Sequence, residues 1–495
     1  MRTLPLLALP LSLAACTMGP DYAGPPVTPS RGAGAGFARA TDAVQPAAVP
    51  AVTDWWTALR DPQLDALEQR ALAANPSIAV AQARVRQARG ALRLERANRL
   101  PSANASGSYL HAELPGIDLG SLTEGSGESG TPGTEAGESS GGGGSTGVDF
   151  FNLGFDASWE IDLFGRQRRT VEAARAAAVG AEANLADAQV QLTAEVAQTY
   201  VALRDRQARI ALSQRSSEMQ RRILRLTEER YARGTVSALD VERLRLQVEN
   251  TDAELVPLNA EVASYLNALA VLVGEAPGTL DAELRAAAPI PLVPAQVAVG
   301  DPASLLQRRP DIRAAERQLA SRTARIGVAE AARFPSLSLQ GMLGLGGTSI
   351  SDVVDPDNLV ALATPMLRWN FLDFGRGRAR VEQAQGERDE AEAKYRQAVL
   401  GALRDAEDAL ARYGARRQTL ASLVRAKASA DRASALMDQR FRAGTATLID
   451  TLDVERQRVS AEQQLSVATA GLTTDYVALQ KALGLGWAAP KPAAP

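Results

Sequence analysis

The chain carries one long unit twice, and that duplication limits what it can fold into more than any single motif does. Asn75-Pro76, followed by a helical run to Leu100-Pro101, returns 234 residues later as Arg309-Pro310 running to Phe334-Pro335. Trp159-Glu160-Ile161-Asp162-Leu163-Phe164-Gly165-Arg166 returns 210 residues later as Trp369-Asn370-Phe371-Leu372-Asp373-Phe374-Gly375-Arg376. Tyr231-Ala232-Arg233-Gly234-Thr235 returns at the same spacing as Phe441-Arg442-Ala443-Gly444-Thr445. Each half predicts a helix, two strands, a very long helix, a tight turn and a returning helix. A repeat this long is a duplicated structural half rather than a small solenoid unit. It builds a wall, not a catalytic pocket.

The N-terminus supplies an address. Arg2, an apolar stretch from Leu4 to Ala15 and small residues before position 16 describe a secretory signal. That stretch is too short to span a bilayer as a stable helix. Cys16 is the only cysteine in the chain, and Leu13-Ala14-Ala15-Cys16 resembles a bacterial lipobox. Acyl chains on Cys16 would tether the mature start to a membrane, two or more holding far better than one. Thr17 follows where an Asp would favour retention, so the resemblance to bacterial lipoproteins favours onward transport to the outer membrane. One cysteine allows no intrachain disulfide, and the fold must hold without staples in an oxidising compartment.

Residues 18–52, rich in Pro, Gly and Ala, read as an extended leader. Asp54 to Ala74 reads as a short capped helix packed through Trp55, Trp56, Leu59, Leu64 and Leu67. The resulting division is a signal peptide 1–15, a lipidated leader 16–53 and a first repeat 54–273. A connecting segment 274–308, a second repeat 309–487 and a disordered tail 488–495 follow.

The strands decide the fold class. Phe151, Leu153, Phe155, Ala157, Trp159, Ile161 and Leu163 alternate with polar or small residues, giving one greasy and one wet face. Leu337, Leu339, Gly341, Leu343 and Leu345 alternate in the same way. Their partners, 102–112 and 359–371, are weaker, and Pro365 marks an edge or bulge. The β-hairpins thus cover about 102–163 and 336–371. Four strands cannot close a barrel, and a barrel in lipid cannot leave an edge open. Three chains would supply twelve strands. The alternative is a soluble antiparallel sheet packed on helices. The lipobox, with Trp159 and Trp369 near strand ends where an interfacial belt would lie, favours the barrel. The expected fold is therefore an α+β membrane protein: a trimeric twelve-stranded barrel continuous with a long helical barrel. The Gly/Ser/Glu-rich segment 124–147 has little to bury and reads as a mobile outer loop. His111, at its near edge, has no metal-ligating partners in sequence.

The long helices run from Gly165 to about Glu229 and from Gly375 to about Arg440, each about 100 Å at 1.5 Å per residue. Leu185, Leu192, Val196, Tyr200, Leu203 and Ile210 recur at near-heptad spacing. Returning helices cover Ser237–Val273, interrupted near Pro257, and Thr447–Leu483. Gly234 and Gly444 fit left-handed helix ends, and Ser237 and Thr447 fit caps. Asp450 and Asp453 stand three apart near a helix end, where a trimer could stack them into acidic rings. Arg166, Arg168 and Arg169, like Arg376, Arg378 and Arg380, fit contacts with headgroups or carboxylates.

No 18-residue apolar run marks a transmembrane helix. A net charge of −3 argues against nucleic-acid binding. One His and one Cys exclude a zinc cluster, and no phosphate loop of the GxxxxGK type appears. Neither catalysis nor a cofactor is expected, and any energy must come from a partner.

With these features the chain resembles the outer-membrane efflux protein family (TolC-like), in its lipoprotein branch of drug-efflux and nodulation-type channels. The resemblance rests on Leu13-Ala14-Ala15-Cys16, Asp54-Trp55-Trp56, Asn75-Pro76, Arg308-Arg309-Pro310-Asp311-Ile312, Phe334-Pro335 and Lys481-Ala482-Leu483-Gly484-Leu485-Gly486-Trp487. Both halves add the Phe-Gly-Arg junctions at Gly165-Arg166 and Gly375-Arg376 and the turns Gly234-Thr235 and Gly444-Thr445. It covers about residues 16–487. It implies a lipid-anchored homotrimer acting as passive exit duct of a tripartite pump for small molecules. The partners would be a periplasmic adaptor, a proton-driven inner-membrane transporter and outer-membrane lipid. Segments near 54–74 and 274–308 would form a belt around the tunnel. Asp450 and Asp453 would sit at the constriction, and the Gly234-Thr235 and Gly444-Thr445 turns would meet the adaptor. A peptide or protein secretion duct and a non-conducting envelope lipoprotein remain the alternatives.

Overall fold

The computed structural model describes residues 17–26, 36–40, 44–45, 53–114 and 146–488. Cys16, the signal peptide, the end of the tail and nearly all of segment 124–147 lie outside the described residues. The elements in order are β1 (Val44–Gln45), α1 (Pro62–Ala74), α2 (Pro76–Ala97), β2 (Ser102–Leu114) and β3 (Thr146–Ile161). Helices α3 (Arg166–Ala232), α4 (Ala238–Leu272) and α5 (Asp281–Leu284) follow, then β4 (Val297–Ala298), α6 (Pro302–Arg308) and α7 (Pro310–Ala331). The chain ends with β5 (Ser336–Gly347), β6 (Leu359–Arg368), α8 (Arg376–Arg442) and α9 (Leu448–Ala482). Both long helices have 67 residues and both returning helices 35.

Backbone contacts divide the chain into two compact units. One holds the segment up to Tyr22, Ala91–Ala174 and Thr323–Gly386, and the other holds Ala23–Gly90, Arg175–Arg322 and the chain from Glu387 onward. Each unit draws on both repeats.

The first unit is built on a four-stranded antiparallel sheet in the order β2-β3-β5-β6. Its register aligns the greasy positions across strands. Phe155 pairs with Ala105 on one side and Leu343 on the other, and Leu343 pairs with Ala361. Because side chains alternate with a period of two, one aligned row places every second residue of all four strands on the same face. Phe155 and Leu343 on that face are 63% and 51% exposed in the single chain. On the opposite face Ser106 donates to Asp156, and the Ser102 and Ser158 hydroxyls lie 3.1 Å apart. Among the described residues β2 and β6 each have a neighbour on one side only. Pro365 sits in β6, the edge position expected of a residue without an N–H. Leu163 falls outside the strand, which stops at Ile161. His111 pairs through Nδ1 with Asp149 at 2.7 Å.

The second unit is helical. Its core joins Leu64 and Leu67 of α1, Leu192, Val196, Tyr200 and Leu203 of α3, Leu269 of α4, Val399 and Leu410 of α8, and Leu479 of α9. Leu185 packs against this core from a half-buried position, whereas Ile210 is half-buried and belongs to none of its buried members. The expected helix over 54–74 is two elements. Trp55–Leu59 is a short 3-10 turn, and Asp61 accepts from the Gln63 and Leu64 amides to start α1 afresh. The expected interruption at Pro257 does not occur, and α4 runs through it. The ring costs one backbone hydrogen bond, and burial of Val248, Leu258 and Leu266 along the same helix offsets that loss. By length and composition α4 could cross a membrane, contrary to the absence of any such segment expected from sequence. It buries Leu266, Leu269 and Ala270 in the helical core instead.

The leader is docked where it is described, not a free spacer. Phe37 and Val44 are buried, β1 pairs in parallel with β4, and the Ala38 and Arg39 amides donate to Glu407 at 2.8 and 2.9 Å. Phe37 and Val44 are apolar residues in a Pro/Gly-rich run, and burying them holds the leader at these points.

Candidate functional site

The two helix reversals use one local design. At the first, Gly234 takes φ +75°, the Thr235 amide donates to Arg230 O at 3.0 Å, and the Gly234 amide donates to Tyr231 O at 2.8 Å. At the second, Gly444 takes φ +74°, Thr445 donates to Arg440 O at 2.9 Å and Gly444 to Phe441 O at 3.0 Å. This six-to-one closure satisfies carbonyls that a helix end would otherwise leave unpaired. Thr235 and Thr445 reinforce it through their hydroxyls, which donate to the same carbonyls.

The returning helices then start with reciprocal caps. Ser237 Oγ accepts from the Asp240 amide while the Ser237 amide donates to the Asp240 carboxylate. Thr447 and Asp450 repeat this at 3.1 and 3.0 Å. Hydrogen bonds from Ser237 and Thr447 hold both aspartates below the usual carboxylate range. Asp450 is therefore a helix cap as well as a candidate constriction residue. Asp453 is held within its own helix, by Arg456 at 2.6 Å and Gln457 at 2.9 Å. The first repeat has Arg243 at the position matching Asp453, so the acidic pair belongs to the second hairpin alone. Between the hairpins lies a cavity of about 730 Å³, lined by Ile223, Leu244, Phe441, Ile449 and Leu452 with Arg243 and Asp453 among them.

The strand-to-helix junctions place the other predicted residues. Arg166 forks onto Glu160 at 2.6 and 2.5 Å, and Gly165 takes φ +81°. Asp162 accepts from the Gln167 and Arg168 amides at 3.1 and 2.9 Å and so closes the N-terminus of α3. In the second repeat the cap is Asp373, which accepts from Gly375 and Gly377 at 2.9 and 2.7 Å. The cap has moved by one residue relative to the repeat, and Phe374 takes a left-handed φ of +52° beside Gly375 at +87°. Arg376 opens α8 with its amide on Asp373 O at 3.1 Å. Each junction tryptophan is anchored at one end, Trp159 Nε1 to Arg99 O at 3.0 Å and Trp369 Nε1 to Arg333 O at 3.1 Å. Their rings stay partly exposed, the amphipathic arrangement suited to an interface.

Sequence reasoning missed the two aspartate caps and the buried Arg204. An acidic residue just before Phe-Gly-Arg carried the signal for the caps. Arg204 is fully buried and donates to Gln207 at 2.6 Å, Ala286 O at 2.9 Å and Gln63 at 2.5 Å. Its guanidinium also lies 4.7 Å from the Tyr200 ring centroid. Among the described residues no His, Cys, Asp or Glu cluster could hold a metal ion.

A family model described as outer membrane efflux protein matches residues 67–275 and 302–485. Nodulation protein T of Rhizobium leguminosarum bv. trifolii is 30% identical over 479 residues, covering 96% of each chain. The pyoverdine export outer membrane protein OpmQ of Pseudomonas aeruginosa is 32% identical and covers 88% of each. A solved structure of the outer-membrane channel OprN superposes with a TM-score of 0.83 at 32% identity, covering 95% of this chain and 100% of that one.

Proposed function

The chain belongs to the outer membrane efflux protein family, and from that premise we infer that it is the outer-membrane exit channel of an efflux system for small molecules. It acts as a channel and not as an enzyme. The observation that carries this reading is the sheet. Among the described residues four strands share one apolar face and leave both edges unpaired, which lipid tolerates only when copies close the edges on one another. Three copies give twelve strands, an even number as such barrels require, with Ser106 and Asp156 on the water side.

The finer parts of the proposal are these. Cys16 carries the lipid anchor. The partners are a periplasmic adaptor and a proton-driven inner-membrane transporter. The turns at Gly234-Thr235 and Gly444-Thr445 receive the adaptor; the groove between the hairpins, apolar with interspersed charge, supports that assignment. Asp450 and Asp453 narrow the inner mouth. Cargo is a small molecule, as pyoverdine is in the name of the Pseudomonas aeruginosa relative, with selection made by the inner-membrane partner.

The test joins two measurements. Purified chain is reconstituted into planar bilayers, and cysteines introduced as Arg233→Cys and Ala443→Cys are crosslinked in intact cells. Trimeric conductance with capture of an adaptor and a proton-driven exporter is expected. A non-conducting monomer would sink the channel reading. Capture of an ATP-driven secretion apparatus would replace small-molecule cargo with peptide or protein.

A further inference from the structure

The segment that begins one residue after Cys16 is seated in a slot made by both repeats. The Met18 amide donates to Phe164 O at 3.2 Å. Arg169, whose side chain is only 4% exposed, donates through Nε to Met18 O at 3.1 Å and through Nη2 to Gly19 O at 3.0 Å. Its remaining donors reach Asp21 at 2.7 Å and Glu172 at 2.8 Å. One guanidinium thus holds two successive leader carbonyls and a leader carboxylate, the fork geometry only arginine supplies.

Three glycines make room for it. A Cβ on Gly165 would collide with Thr17, and its Cα would lie 3.0 Å away. A Cβ on Gly19 would collide with Gly327. Gly327 itself lies inside α7, where glycine is a poor helix former, and its φ demands nothing special. Space is the reason for it: a Cβ there would stand 2.7 Å from Met18 O and 2.8 Å from Arg169 Cγ.

The internal duplication serves as the control. The position matching Arg169 is Ala379, and the position matching Gly327 is Arg93. A Cβ on Gly375, the match of Gly165, would meet nothing within 4 Å. The slot exists at one junction of the two, and that junction is the one the leader occupies.

We propose that Arg169, Gly165 and Gly327 form a seat for the segment following Cys16, fixing the lipid's attachment point against the strand–helix junction. The anchor then acts as a fixed post of the folded body rather than as a loose tether. Adjacent Cα atoms are about 3.8 Å apart, so a seated Thr17 confines Cys16 to its immediate neighbourhood. The lipid half rests on the lipidation reading above; the seat itself does not.

A nitroxide on Pro20→Cys, in the full lipidated trimer, reads the seat directly, because acylation blocks the Cys16 thiol and leaves one reactive cysteine. The label is expected to be immobilised. Arg169→Gln and Gly327→Leu should each shorten its correlation time at least tenfold, and so should Met18→Pro, which leaves the folded body untouched. Gly386→Ala, with open space around its Cβ, should leave it unchanged. A mobile label in the unmodified background, or no change in any of the three variants, overturns the seat. Palmitate labelling of Cys16 is scored separately. Where that labelling fails, the nitroxide is read with Cys16→Ser so that Pro20→Cys is again the one thiol; an immobilised label there would overturn the lipid half and leave the seat standing.

Discussion

Arg204→Met is the perturbation whose size the structure lets one work out. The side chain is fully buried, and methionine keeps much of the apolar stem while removing every donor. Three acceptors lose a close partner: Gln207 Oε1, Ala286 O and Gln63 Oε1. Leu284 O keeps its bond from Gln207 Nε2 at 2.7 Å. At about 1 kcal/mol for each acceptor that loses its close partner, with Gln63 Oε1 keeping only the longer bond from Tyr200 at 3.4 Å, the loss is about 3 kcal/mol. Relief of the buried cation's desolvation opposes it, and the two glutamine amides can turn, so about 2–3 kcal/mol is expected. The loss is local, because Arg204 ties the long helix α3 to α1 and to the connecting segment after α5. Hydrogen exchange of the Leu284 and Arg285 amides, which close onto Leu280 O and Asp281 O, should therefore accelerate about 30- to 150-fold, 1.4 kcal/mol being a factor of ten. The Thr235 amide should keep its rate. Arg204→Lys should recover only part, since one ammonium cannot span acceptors on two elements. A change below threefold at Leu284 and Arg285 would refute the idea that Arg204 holds the segment after α5.

Three further outcomes follow from the same geometry. Glu68 is fully buried with neither oxygen hydrogen-bonded, and burial pushes its carboxyl well above 4.5. The folded state then holds a proton that the unfolded chain releases, so stability is highest at low pH and falls as pH rises above about 4.5 toward the elevated value. The melting-temperature difference of Glu68→Gln over the parent should grow across that window, and a constant difference would show that Glu68 does not titrate there. Asp450→Asn with Asp453→Asn, which keeps an acceptor for the Thr447 cap, should weaken multivalent-cation block of the trimer about tenfold; unchanged block and conductance would remove both residues from the constriction. Phe155→Lys places a charge on the lipid-facing row and should cost about 2–4 kcal/mol near the membrane midplane, lowering trimer recovery from membranes, whereas Asp156→Asn on the opposite face should assemble normally. Equal recovery of the two would reverse the assignment of faces.

The periodic features were the legible ones. The alternation from Phe151 to Ile161 placed a strand and its faces, because a period of two is a property of the strand itself. Gly234 and Gly444 announced the reversals, since a left-handed helix end selects glycine wherever it occurs. What escaped were interactions between distant segments. Nothing near Arg169 shows that Met18 and Gly327 will enclose it, and nothing near Arg204 shows that Ala286 will accept from it. Pro257 was misread for the opposite reason: the local signal to break a helix is real, and packing on either side of it overrides the signal. The composition of the leader is that of an extended spacer, and Phe37 and Val44, which dock it, carry no periodic pattern.

The duplication separates what the scaffold requires from what this channel requires. Asn75 Nδ2 donates to Leu272 O, and Arg309 Nη1 donates to Ala482 O. Matched positions with different side chains thus cap the matched ends of α4 and α9. Trp159 and Trp369 bind matched carbonyls, and Asp240 and Asp450 complete matched caps. At these positions the two halves solve one structural problem twice. The divergent pairs have no such duty to share. Asp453 faces its duplicate as Arg243, Arg169 as Ala379 and Gly327 as Arg93, and each change reverses a charge or replaces a large side chain with almost none. A wall needs its halves alike, whereas the N-terminal segment held by Arg169 occurs once per chain. The asymmetric positions are therefore where substitution should alter gating or anchoring and leave the folded scaffold intact.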